Sequence, residues 1–95
     1  MPAIGVLTFE LRLEHAQSLK DKRHVVRGLK DRLRHKHNIA VAEIDYQDLW
    51  QSALLSAVTV SPSRQLAEQV LQAVERDVTR DVGEMLVSTT IEWIE

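Results

Sequence analysis

Eight of the chain's twelve basic residues, Lys20, Lys22, Arg23, Arg27, Lys30, Arg32, Arg34 and Lys36, fall between Ser18 and Asn38, where the only acids are Asp21 and Asp31. That segment carries +6. The other residues of the 95, with four basic and twelve acidic side chains, carry −8, so the whole-chain value of −2 conceals a strongly polarised molecule. Charge segregation of this kind points to an anionic partner. Lys20, Arg23, Arg27, Lys30 and Arg34 recur at spacings of three, four, three and four, which lines them along one side of an α-helix. Arginine can grip phosphate bidentately, and lysine can act beside it as a point charge. Ser18 stands where a helix N-cap belongs, next to unpaired backbone N–H groups and the positive end of the helix dipole. The predicted polyanion-binding set is therefore Lys20, Lys22, Arg23, Arg27, Lys30 and Arg34, with Ser18 as the N-cap at the anion site. The expected ligand is RNA or a ribosomal particle. The competing account is a solvated helix face with local pairs to Asp21 and Asp31.

Other candidate chemistry is weaker. His35 and His37 are two residues apart and point to different sides of a helix, and His24 is eleven residues from His35, so a loose surface group is expected. Glu43, Asp45 and Asp48 cluster near a turn, but Glu43 and Asp45 share one strand side and no loop with calcium-ligand spacing follows; solubilising a sheet edge is the better account. Ser18 with His15 and His24 lacks an orienting third group and a nucleophile elbow. With no cysteine there is no thiol nucleophile, thiolate metal site or disulfide. The expectation is a non-enzymatic binding protein without cofactor or metal.

These residues must be placed by a fold. Ninety-five residues suffice for one hydrophobic core, and no linker or repeat divides the chain, so residues 1–95 are read as a single domain. Leu7, Phe9, Leu11 and Leu13 alternate with Thr8, Glu10 and Arg12 as in a half-buried strand. Ser18 opens a helix with Val25, Val26, Leu29 and Leu33 as its apolar stripe, ending near Asn38. Ile39 to Tyr46 and Leu49 to Ser61 read as strands. Ser61-Pro62 opens a second helix over Leu66, Val70, Val74 and Val78, Gly83 closes it, and Met85 to Ile94 forms a last strand. The order β-α-β-β-α-β predicts an α+β ferredoxin-like plait, a four-stranded antiparallel sheet with both helices on one face.

That topology is shared by RNA-recognition motifs, but the aromatic cluster those motifs stack on bases is missing. The four aromatics are Phe9, which should face inward, Tyr46, Trp50 and Trp93, the last two expected as core or rim residues. Ile4, Val6, Leu86 and Ile94 fall on the sheet side opposite Leu7, Phe9, Leu11, Val87, Ile91 and Trp93. A partly aliphatic open face of that size predicts a homodimer, with Glu10 and Glu92 available to Arg12 across a two-fold axis.

Ser18-Leu19-Lys20-Asp21-Lys22-Arg23, Asn38-Ile39-Ala40-Val41-Ala42-Glu43 and Asp48-Leu49-Trp50-Gln51, at these separations, resemble the YlxP-like family of small bacterial proteins, catalogued as a domain of unknown function. The resemblance spans essentially the whole chain. It implies a ferredoxin-like fold in the bacterial cytoplasm and an association with translation-initiation and ribosome-maturation genes, and it brings no enzymatic activity. His37 stands where the family usually has phenylalanine. With no signal-peptide pattern and no apolar run of about 20 residues, a soluble cytoplasmic protein away from membranes is expected.

Overall fold

The alternation in the first strand decides which sheet face becomes the interior. In the computed structural model, which describes residues 1–94, β1 (Ala3–Arg12) buries Leu7, Phe9 and Leu11 completely or nearly so, and Leu13 continues the row just beyond it. It is followed by α1 (Leu19–Lys36), β2 (Ala40–Asp45), β3 (Ser52–Ser61), α2 (Arg64–Val82), a 3-10 turn at Gly83–Met85 and β4 (Leu86–Ile94). The strands form one antiparallel sheet in the order β2-β3-β1-β4. This is the expected ferredoxin-like plait. Helix α1 packs beside β2, while α2 lies against β1, β3 and β4. Val26, Leu29 and Leu33 of α1 meet Ala53, Leu55 and Ala57 of β3 and Leu71, Val74 and Val78 of α2 in one core. Thr59, also buried, is satisfied by donating from Oγ1 to Asn38 O at 2.8 Å.

Several boundaries move, each for a local reason. β3 begins at Ser52 rather than Leu49, because Tyr46 takes a left-handed φ of 66° and the carbonyls of Tyr46 and Leu49 turn to a side chain of α1. Trp50, expected at a core or rim position, is thus half exposed in a loop. Helix α1 stops at Lys36, with an extended His37 as its C-cap. In α2, Ser63 and not Ser61 is the N-cap, its Oγ accepting from Leu66 N at 3.2 Å. Leu66 is exposed there, since a row at four-residue spacing drifts about 40° per step around the helix. The buried face runs instead through Ala67, Leu71, Val74, Val78 and Val82. In β4 the register slips opposite Glu10 and Leu11: Ser88 pairs with Glu10 and Leu86 with Leu11, leaving Val87 in a bulge. Leu86 therefore packs toward the core and Val87 is exposed, the reverse of the simple alternation.

Gly5 lies on the helix-facing side, where backbone and side chains come close. A Cβ there would sit 2.7 Å from Leu71 Cδ1 and 2.9 Å from the Trp93 ring. Trp93 is also held from another direction by the Arg64 guanidinium, 4.6 Å from its ring centroid. Gly5→Ala should therefore destabilise the fold by about 1–3 kcal/mol through overpacking, lowering Tm by several degrees. An unchanged melting temperature would show that Leu71 and Trp93 can make room for the added methyl group.

Candidate polyanion interface

Helix α1 starts as its sequence dictates. Ser18 Oγ accepts from Asp21 N at 3.1 Å, and Asp21 Oδ2 accepts in turn from Gln17 N at 3.0 Å, a capping box displaced by one residue. This changes the expected anion site at Ser18. Part of the donor set of the first turn is already used, and the Asp21 carboxylate stands at the same end, where it repels a phosphate. Ser18 is a structural cap.

Lys22, expected among the polyanion-binding residues, is the clearest correction. Its side chain is 1 % exposed. The ammonium donates to Tyr46 O at 2.5 Å and Leu49 O at 2.7 Å and lies 2.8 Å from Glu43 Oε2. Glu43 Oε2 is itself buried and accepts no well-directed hydrogen bond, so the ion pair is its compensation. The cause was visible in the sequence. Lys22, Val26, Leu29 and Leu33 are spaced four, three and four apart, so Lys22 belongs to the apolar side of the helix and must find partners inside. Lys22→Met should cost about 3–5 kcal/mol by leaving Glu43 uncompensated, and adding Glu43→Gln should recover part of that loss. Denaturant unfolding of the single and double variants measures both; a fully stable Lys22→Met protein would contradict the clamp.

The side of α1 that faces α2 is electrostatically occupied. Arg32 Nε lies 3.5 Å from Asp81 Oδ2, and Asp77, 7 % exposed, gathers Lys36 at 3.2 Å, His37 Nε2 at 2.6 Å and Arg80 at 3.1 Å. An ionised carboxylate only accepts, so Nε2 of His37 carries the shared proton. His37, expected on the surface with His24 and His35, is thus largely buried and joins the end of α1 to α2. Asp77 interrupts the apolar face of α2, and that interruption was the signal for a buried partner. The His37 hydrogen bond, aided by Lys36 and Arg80 and opposed by burial, holds the Asp77 carboxyl below the usual carboxylate range. The stabilisation from ionised Asp77 is therefore complete above the unfolded-state pKa of about 3.9 and is lost as pH falls through the lower folded value. Urea unfolding across the acid range should show this loss, and Asp77→Asn should lack that part of it.

The remaining flank of α1 faces away from α2. Lys20, Arg23 and Arg27 are exposed and Lys30 is half-buried, and among the described residues none of the four has a carboxylate within ion-pair distance. Arg34, next along the row, pairs with Asp31 one turn back. The structure brings together five of the six predicted cations. Glu43, Asp45 and Asp48 do not converge: Glu43 turns inward to Lys22, and Asp45 Oδ1 accepts from Tyr46 N at 2.8 Å. Among the described residues no three His, Asp or Glu side chains gather as a metal site, and no helix is long and apolar enough to cross a membrane.

Fold and surface thus define a ferredoxin-like α+β domain with a basic outer helix. Residues 4–91 match the family described as Protein of unknown function (DUF503), and the chain belongs to that family. It is 37 % identical to the Uncharacterized protein YlxP of Bacillus subtilis (strain 168), over 81 % of this chain and 95 % of that protein. Among solved structures it is similar to Rv0793 from Mycobacterium tuberculosis, with TM-score 0.53 and 16 % identity over all of this chain and 94 % of the other. An EthD family protein from Bacillus halodurans gives TM-score 0.52 and 12 % identity, covering 95 % and 96 % of the two chains. A de novo designed protein with a ferredoxin fold gives 0.50 and 13 %, covering 99 % and 84 %. At these identities the structural likenesses establish the fold.

Proposed function

We propose that this protein is a non-enzymatic, cytoplasmic RNA- or ribosome-associated binding protein that contacts phosphates through the outer flank of α1. The observation that carries this reading is the row Lys20, Arg23, Arg27 and Lys30, the first three exposed and the last half-buried, which among the described residues has no carboxylate at ion-pair distance while the other cations of the helix are engaged. Core packing and the α1–α2 contact do not require those four charges. Arg34 extends the row by exchanging Asp31 for a phosphate. Spaced along an 18-residue helix, the five heads follow a backbone over about 20 Å, a distance suited to several phosphates of structured RNA. Phosphate contacts of this kind position a nucleic acid without reading its sequence. The inward Phe9 and the packed Trp93 leave base readout by the sheet without a stacking platform.

Binding to a structured ribosomal RNA fragment should fall steeply with salt, with a log–log slope of about −3 to −5 for five neutralised phosphates. Arg27→Glu combined with Lys30→Glu should weaken binding and flatten that slope by about 2, whereas Arg32→Gln, on the α2 side, should leave it unchanged. Equal affinity and slope in the double reversal would remove the outer flank of α1 as the contact surface.

A further inference from the structure

We infer that the sheet face opposite the helices is a homodimer interface. Its rows are fixed by the strand register. Ile4 lies between Val60 and Ile94, Val6 between Val58 and Glu92, Thr8 between Ser56 and Thr90, and Glu10 between Leu54 and Ser88. Ala40 and Ala42 extend the second and third rows across β2. One end of the face is therefore mainly aliphatic, with Val58 36 %, Val60 54 % and Ile94 57 % exposed and Glu92 at its β4 edge. The middle is neutral, closed by a 2.8 Å hydrogen bond between Thr8 Oγ1 and Ser56 Oγ, and the other end carries Glu10 and Arg12. The β4 bulge refines the patch, taking Leu86 out of it and turning Leu86 to the core.

Three features select a second copy as the occupant. With strands of 10, 6, 10 and 9 residues the face covers about 570 Å² from strand rise and spacing, so two copies bury about 1,100 Å², just above the roughly 1,000 Å² that a specific interface needs. Its charges are of both signs in neighbouring positions, so Arg12 of one copy can meet Glu10 of the other across a two-fold axis that lays the aliphatic ends together. A nucleic acid finds no cationic surplus there, since Glu10 and Glu92 outnumber Arg12. Face-to-face pairing leaves both helix layers outside, so this interface neither needs nor blocks the RNA contact proposed for α1.

Sedimentation equilibrium without RNA at tens of micromolar should give twice the 10.9 kDa chain mass. Val58→Glu and Val60→Glu, each verified as folded by circular dichroism, should halve it. Diluting the wild-type protein should shift the methyl resonances of Ile4, Val6, Val58, Val60 and Ile94, a measurement that depends on no variant. A wild-type monomer, a dimer that survives in the folded variants, or dilution shifts confined to α1 and α2 would each overturn the assignment.

Discussion

An ammonium group in a core of this size must be met on every side, and Lys22 is met by two carbonyls and a carboxylate drawn from β2 and the loop after it. That requirement organises one end of the molecule. It seats the first turns of α1 against β2, imposes the left-handed turn at Tyr46, and delays the start of β3 to Ser52. Charge is used here as an internal fastener. The same segment that reads as the most basic in the chain supplies the most deeply buried cation.

Helix α1 consequently has three sides with different physics. One is apolar and carries Lys22; a second faces α2 and is neutralised by Asp77 and Asp81; the third keeps its cations in water. Only the third has field to offer a distant anion. Of the segment's net charge, the part that can act outside the molecule is set by the sum of these pairings, and the raw count overstates it.

Element order and the burial of β1 were legible because period-two alternation in Leu7, Phe9, Leu11 and Leu13 has no helical counterpart, and because Ser18 marks its helix unambiguously. Leu49 and Trp50 misled because strand propensity is local, whereas the carbonyl of Leu49 is claimed by a side chain 27 positions earlier. The exchange of Leu86 and Val87 between faces came from a bulge, which alternation alone does not record. Lys20, Arg23, Arg27 and Arg34 are exposed and Lys30 half-buried, as their helical phase away from the apolar stripe dictates. Lys22 was misassigned because its charge was weighed before its helical phase. His37 and Asp77 come together from 40 positions apart, a pairing that only the packing of α1 on α2 creates.

The sheet order has a kinetic corollary. β1 lies between β3 and β4, and β4 is the later of its two neighbours in chain order. During synthesis the β1 edge that receives β4 stays without a partner until β4 has emerged, after both helices and the other two strands. The β1–β4 pairing is thus a contact of long sequence separation, the kind whose loop-closure cost slows folding more than helix formation does.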